Sequence, residues 1–422
     1  MAGTDAAVML TLAGLTYRGF HDILPGEPHE FIVRHALRDG LETLAPVRGD
    51  WDLVWGPVTS RVPLGVFDSN AMYVVRHRRE RHRYVVAIRG TNPVASSDWL
   101  FGDLLVGTTV PWPFATDGAA ISTSTALGLA ILQEMRARPL STAGRFAEAA
   151  VAAVGNPLDR LIRAGRALVT GTAEALGAQA SALDAQVEKI VAHWSVDPPG
   201  RDAILQQFQR AAKTVRVSST DLRRKPSPPD ASGGGLDLLT FLAQQVAASA
   251  EPLEVTVTGH SKGGALAQTV ALWLKDSLLS ADPAEHWDGG RRPRILVHAF
   301  AGPTPGNAAF ADRIDRTLGA DHHHLRNTND LVTHGWQVSD LREIPTLYGT
   351  RTAALAPLVP GIIAHVQPLD YRHAQSGMVM FKGKLDPHRG LASELIRHQH
   401  VDAYLAHTGL DRHGISAITF FI

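Results

Sequence analysis

One short run of residues constrains the fold of this chain more than any other. Residues 254–264 read Glu-Val-Thr-Val-Thr-Gly-His-Ser-Lys-Gly-Gly, so a β-rich segment ends in the pattern G-x-S-x-G and a helix-favouring segment follows. In such a strand–turn–helix the serine stands on a sharp turn above a sheet, with glycines two positions to either side. The helix directs free N–H groups and its positive end towards that turn. The pattern predicts that Ser261 is a nucleophile; the alternative is an ordinary serine in a glycine-rich turn.

The order of strand-like and helix-like segments along the chain predicts an α/β fold with a mostly parallel central sheet and helices on both faces. From about residue 236, strand-like and helix-like segments alternate, which is typical of such a sheet. Tyr84–Ile88 is apolar without interruption, as a strand buried on both faces should be. The predicted strands are 52–55, 72–76, 84–88, 255–258 and 295–300, and the predicted helices are 236–246, 265–274 and 308–318.

Differences in texture along the chain predict its domain organisation. Residues 1–118 and 236–422 carry the strand signals, and we expect them to form one core. Residues 119–222 are rich in alanine, and their apolar residues recur at helical spacing between 158 and 194. This segment is predicted to be a helical insertion, either packed on the core or forming a cap over the serine. Residues 223–235, rich in proline, serine and glycine, are predicted to be a flexible linker.

Composition excludes several classes of protein. The chain has 422 residues, 45% hydrophobic and 19% charged, as in an ordinary soluble globular protein. Its 41 basic residues balance its 41 acidic ones, so no net field favours nucleic acid. The absence of cysteine excludes disulfides, thiol catalysis and zinc–thiolate sites. Without a long apolar run or a basic n-region, we expect no transmembrane segment, and a cytoplasmic location or secretion without a recognisable signal peptide.

A serine nucleophile also needs an acid and a base. Asp330 follows the predicted strand that contains His324, at the edge of a sheet where catalytic loops gather. The alternative is an aspartate that bonds its own backbone in an asparagine-rich turn.

The base is less well defined, because several histidines follow Asp330: His334, His365, His373, His388, His398, His400 and His407. His398 and His400 share nearly the same location, so position alone does not separate them. The run His322–His324 suggests a metal cluster, but adjacent strand residues point to opposite faces and no carboxylate is suitably spaced, so we expect no metal.

The oxyanion hole needs two donors. One is expected to be the backbone N–H of Lys262, directly after the serine. The loop after the strand Tyr84–Ile88 places Thr91 as a candidate for the second, with loop capping as the alternative.

Blocks of residues along the chain resemble the class 3 lipase family of α/β-hydrolases, which includes fungal lipases and plant phospholipase A1-like proteins. The matching blocks are Val85–Thr91, Asp98–Trp99, Asp103–Leu104, Val257–Gly264, Ala299–Pro303 with Gly306–Asn307 and Phe310, Asn329–Val332, and His400 with Tyr404 and Leu405. The alanine-rich insertion and the absence of the disulfides and secretion signal of the fungal branch depart from the family pattern.

The resemblance implies a serine hydrolase for lipid esters that needs no cofactor. It assigns Ser261 as nucleophile, Asp330 as acid, His400 as base, and Thr91 and Lys262 as oxyanion donors. His400 is preferred over His398 because Tyr404 stands four residues after it, as in plant-like members of the family. The alternatives are a phospholipase A1, a short-chain carboxylesterase or acyl transferase on the same residues, or a non-catalytic lipid-binding scaffold.

The family also suggests a lid. The segment 95–105 is a candidate lid helix, with Trp99, Phe101 and Leu104 as its apolar residues. Such a lid would cover an acyl groove in water and open at a lipid–water interface. The alternative is a plain surface helix.

Overall fold

A computed structural model describes residues 3–18, 27–61, 68–90, 106–137, 217–227, 235–353, 355–391 and 393–416. Its strands are β1 (Trp51–Arg61), β2 (Asp68–His77), β3 (Arg83–Ile88), β4 (Thr109–Pro111), β5 (Ala120–Ser122), β6 (Arg136–Ala137), β7 (Leu236–Asp237), β8 (Glu254–His260), β9 (Arg294–Phe300), β10 (His322–Asn327) and β11 (Met378–Phe381). Seven of them form a central sheet in the order β1-β2-β3-β8-β9-β10-β11.

The central sheet is antiparallel at one side and parallel over the rest. The pairs β1–β2 and β2–β3 are antiparallel. From β3 onwards, each pair through β8, β9, β10 and β11 is parallel. The carboxyl ends of β8 and β10 therefore lie at the same edge of the sheet, and Ser261 and Asp330 follow those two ends.

The helices are α1 (Gly3–Leu15), α2 (Glu27–Thr43), α3 (Thr123–Glu134), α4 (Leu238–Ala248), α5 (Lys262–Leu278), α6 (Ala308–Thr317), α7 (Val338–Leu341), α8 (Thr350–Ala353), α9 (Val359–Val366) and α10 (Ala403–Thr408). A π-helical segment, Ser393–Asp402, runs directly into α10. Such π-helical turns are rare and are found frequently at functional sites.

Hydrophobic cores lie on both faces of the sheet. On β3, Val86 packs into one core together with residues of α3, α4, α5 and α6. Its neighbours Val85 and Ala87 pack into a second core with residues of α1, α2 and α10. Because adjacent strand residues point to opposite faces, the unbroken apolar run of β3 is buried on both sides. The predicted mostly parallel α/β-hydrolase fold is confirmed.

A third, smaller apolar cluster is built from the chain that follows Asp330. It contains buried residues of α7 and α9, such as Leu341, Val359 and Val366. Val106 belongs to it as well, and the backbone carbonyl of Val106 accepts a hydrogen bond of 2.8 Å from the Tyr371 hydroxyl. The segment after Asp330 is thus anchored to the described chain that begins at residue 106.

The predicted domain boundaries stay predictions, since much of the segment 119–222 lies outside the described residues. Its described ends pack on the core: α3 contributes Ala126 and Leu129 to the first core, and Leu222 is buried there too. The predicted helices between 158 and 194 fall outside the described part of the chain. In the predicted linker, Arg223 forms an ion pair with Glu285 at 3.0 Å.

Among the helices of the described ranges, none combines the length and the apolar character required to cross a bilayer.

Candidate active site

Ser261 lies on the turn between β8 and α5 in a strained backbone conformation. Its φ is 62° and its ψ is −133°, in a region that costs a non-glycine residue about 1–3 kcal/mol. The turn is held by hydrogen bonds on both sides: the Ser261 N–H donates to the carbonyl of Phe300 at 2.9 Å, and its carbonyl accepts from the N–H of Gly264 at 2.8 Å. Its hydroxyl makes no capping hydrogen bond to α5, whose residues are all described. The hydroxyl is therefore not committed to the helix that it precedes.

The two glycines of the motif are required by close backbone approach. A Cβ on Gly259 would clash with the carbonyl group of Gly263. A Cβ on Gly263 would clash with the carbonyl oxygen of Ile88, at the end of β3. The tight turn therefore accepts no side chain at either position, which is the steric reason for the G-x-S-x-G pattern.

Asp330 and His400 form a buried hydrogen-bonded pair. Asp330 caps the 3₁₀ turn Leu331–His334, with its Oδ1 accepting from the N–H of Val332 at 3.1 Å. Its Oδ2 lies 2.8 Å from Nδ1 of His400. The Asp330 residue is 0% exposed and His400 is 3% exposed, so water does not compete for this contact. A histidine oriented in this way by a carboxylate is the arrangement that a general base requires.

The surroundings of His398 and His400 differ, although their sequence positions do not distinguish them. Nε2 of His398 lies 2.9 Å from the carbonyl of Lys384, and the residue is half-buried. Of the remaining candidates, His373 contacts the carbonyl of Thr333 and His407 stacks on the ring of Phe381. His400 is the described candidate whose ring contacts the carboxylate of Asp330.

Two further side chains complete the surroundings of the pair and were not assigned a role from the sequence. The hydroxyl of Tyr404 donates to Oδ2 of Asp330 at 3.0 Å. Nε2 of His260, the residue before the serine, lies 2.7 Å from the carbonyl of His400, and the two imidazole rings are 4.5 Å apart. Burial, and next to it the charge of His400, lower the pKa of His260 well below its usual range. A neutral His260 thus connects the turn that carries Ser261 to the backbone of His400.

Tyr404 could have been suspected from its position four residues after His400, which places both side chains on one face of a helix. His260 gives no such signal, because the variable position of the motif accepts many residue types.

The predicted oxyanion donors are only partly within the described residues. Lys262 is the first residue of α5, so its backbone N–H belongs to the end of the helix that follows the Ser261 turn. Thr91 and the lid candidates Trp99, Phe101 and Leu104 lie outside the described part of the chain.

The histidines of β10 do not gather a metal site. His322 and His324 are buried, and Nε2 of His322 lies 3.0 Å from the side-chain oxygen of Gln268. Within the described ranges, no group of three or more histidine, aspartate or glutamate side chains could hold a metal ion.

Comparison with known proteins supports the resemblance seen in the motifs. Residues 237–338 match the family described as Lipase (class 3). Over 83 residues, the chain is 32% identical to a chloroplastic phospholipase A(1) of Arabidopsis thaliana. That match covers 20% of this chain and 16% of the relative, so it spans a small part of both proteins.

The fold as a whole matches a solved lipase. The crystal structure of M37 lipase superposes with a TM-score of 0.65 at 23% identity, covering 99% of this chain and 96% of that chain. At this identity the likeness shows a shared fold. The family match over residues 237–338 supports the resemblance that the motifs indicated. The superposition shows that this region lies within a fold shared with a solved lipase.

Proposed function

We propose that this chain is a serine hydrolase that cleaves carboxylic esters of lipids. The observation that carries the proposal is the strained Ser261 on the strand–helix turn, together with the Asp330–His400 pair at 2.8 Å. Ser261 is the nucleophile, His400 the base and Asp330 the acid that orients it. The family match over residues 237–338 supports this class of reaction.

The proposed reaction proceeds through an acyl-enzyme. His400 takes the proton of the Ser261 hydroxyl while the Ser261 oxygen attacks the ester carbonyl. The backbone N–H of Lys262 and the Thr91 donor stabilise the oxyanion that forms. His400 then gives the proton to the leaving alcohol. A water molecule, deprotonated by His400, releases the acid and restores the serine. Asp330 stabilises the imidazolium in both steps.

A phospholipase A1 is the second candidate for the substrate class. The aligned relative is named a phospholipase A(1), and the aligned stretch is 32% identical. Both reactions use the same catalytic residues. Hydrolysis rates measured side by side on triacylglycerols, diacylphospholipids and short p-nitrophenyl esters, with chain length varied in each series, would distinguish the two and the short-chain esterase.

The lid residues Trp99, Phe101 and Leu104, the lipid–water interface and the cytoplasmic location stay predictions. Comparing activity on one ester below and above its solubility limit would test interfacial activation, since a lid that opens on lipid gives a jump in rate at that limit.

The first test is the substitution Ser261→Ala. Because a triad serine contributes roughly 10⁶ in rate, hydrolysis of p-nitrophenyl butyrate should fall to background. Circular dichroism and the melting temperature should show that the variant is folded. Activity above about a thousandth of wild type in a folded variant would refute the assignment, because triad residues act as a unit. A wild-type protein that hydrolyses no ester would support the non-catalytic scaffold instead.

A further inference from the structure

The hydrogen bonds of Tyr404 leave no choice about where its hydrogen goes. The backbone N–H of Asn327, the last residue of β10, donates to the Tyr404 oxygen at 2.9 Å. The same hydroxyl lies 3.0 Å from Oδ2 of Asp330. Since an N–H already uses an acceptor site of the phenol, and a carboxylate accepts only, the phenolic hydrogen is directed at Asp330.

Asp330 depends on donors from the protein. It is 0% exposed, and a buried carboxylate needs hydrogen bonds to replace those of water. Its Oδ1 accepts from Val332, and its Oδ2 accepts from both His400 and Tyr404. The phenol and the imidazole therefore share one acceptor oxygen. A change in the Tyr404–Asp330 hydrogen bond consequently alters the His400–Asp330 hydrogen bond.

We propose that Tyr404 is a positioning residue of the hydrolase: it fixes the Asp330 carboxylate against His400 and moderates the negative charge that His400 meets. The inference rests on the proposed function, since it concerns the same base. Tyr404 is 0% exposed and packs edge-on against Phe381 of β11 and near His260 of β8, so its ring has no freedom to turn the hydroxyl elsewhere.

Other titratable and charged groups around the pair are directed at other partners. Arg326 pairs with Asp340, Glu394 accepts from Gln399, His334 contacts the backbone carbonyl of Asp330, and His260 contacts that of His400. Tyr348 donates to the carbonyl of Asn329 at 2.5 Å. The Tyr404 hydroxyl is the tyrosine hydroxyl of this group that contacts the carboxylate itself.

The test is Tyr404→Phe, which removes one oxygen and keeps the ring. With one donor fewer, the carboxylate pairs more strongly with protonated His400, so the base holds its proton to higher pH. We expect the acid limb of the kcat/KM profile to move up by roughly half a unit to one unit. The plateau of kcat should fall roughly tenfold to a hundredfold, because the Asp330 carboxylate loses the hydrogen bond that fixes it against His400, and the base is then less well oriented. An acid limb that stays in place or moves to lower pH would overturn the proposal.

Tyr348→Phe is the matched control. It removes a hydroxyl from a tyrosine of similar burial, 4% exposed, in the same loop cluster, but that hydroxyl donates to a backbone carbonyl. A purely structural role for both tyrosines predicts similar losses of stability and no change in either acid limb. The proposal predicts that only Tyr404→Phe shifts the limb.

A second measurement keeps this proposal separate from the proposed function. The imidazole of His400 can be titrated by NMR in histidine-labelled protein, with its signal assigned by its absence from His400→Gln. The titration midpoint should rise in Tyr404→Phe and not in Tyr348→Phe, whether or not an ester is hydrolysed. An unchanged midpoint in an active enzyme would refute the role of Tyr404 alone, while an inactive wild type would refute the proposed function alone.

Discussion

Two buried histidines in this chain, His400 and His324, have different surroundings. His400 is 3% exposed and has the carboxylate of Asp330 at 2.8 Å from Nδ1. His324 on β10 is 0% exposed, and among the described residues neither of its ring nitrogens has a hydrogen-bond partner. The ring centres of His324 and His373 are 5.5 Å apart. Both rings lie near a second imidazole, but of the two it is His400 that has a carboxylate within hydrogen-bond distance.

The difference shows what makes a buried histidine useful as a base. Burial lowers the pKa of His324 well below its usual range, and it lowers that of His373 to about 3. Burial is the largest cause for both rings, and the Asp340 charge, which raises the pKa of His373, does not offset it. Each ring therefore stays neutral at neutral pH and is poorly suited to hold a proton in a transition state. In the proposed mechanism His400 carries a positive charge for part of each cycle, and the carboxylate of Asp330, 2.8 Å from its Nδ1, faces that charge. Burial alone thus gives an inert imidazole.

The largest effect that tests this comparison is expected from His400→Ala against His398→Ala. Loss of the base should lower kcat for a p-nitrophenyl ester at least about a thousandfold, since a triad histidine contributes as much as the serine. His398→Ala removes a neighbouring, half-buried ring whose Nε2 lies 2.9 Å from the carbonyl of Lys384, and its activity should stay within a few-fold of wild type. The reverse ranking would show that the carboxylate contact has been read wrongly.

A smaller effect concerns stability at acidic pH. The pKa values of His324 and His373 are lower in the folded state than the unfolded value of about 6.5, so the unfolded chain binds more protons below that pH. The stability that these groups contribute is complete above about pH 6.5 and is lost as the pH falls towards the folded values, by about 1.4 kcal/mol per pH unit for each histidine.

His324→Leu isolates one of these groups. Urea unfolding between pH 7 and 5 should show a shallower loss of stability than in wild type, by about one proton. At pH 7 the variant should be as stable as wild type or more so, because a leucine removes two buried ring nitrogens that have no hydrogen-bond partner among the described residues. Ester hydrolysis serves as the control and should be unchanged. An identical pH slope in both proteins would contradict a neutral, buried His324.

The fold and the strand–turn–helix that carries Ser261 could be predicted from the sequence because their signals are local. The apolar run of Tyr84–Ile88 and the glycines on either side of Ser261 are consequences of burial on two faces and of close backbone approach. Position after a strand end was enough to select Asp330 as a candidate. These features depend on residues that are neighbours along the chain.

The surroundings of His400, the proposed base, could not be predicted in the same way. Asp330 and Tyr404 are 74 residues apart, and His260 and His400 are 140 residues apart, so their contacts depend on how π-helix and α10 pack against β8 and β10. Without the resemblance, the sequence left His398 and His400 equal. The tertiary structure separates them, because one ring contacts a carboxylate and the other a backbone carbonyl.

The most direct test of the central claim is covalent labelling with a fluorophosphonate, read by intact mass and peptide mapping. A phosphonate attaches only to a serine whose hydroxyl is activated by a base, so the reagent reports the nucleophile without any assumption about the natural ester. Wild-type protein should gain one label on the peptide that contains Ser261. Ser261→Ala should gain none, and His400→Ala should react far more slowly. A folded wild-type protein that stays unlabelled, or that carries the label on another serine, would contradict the account.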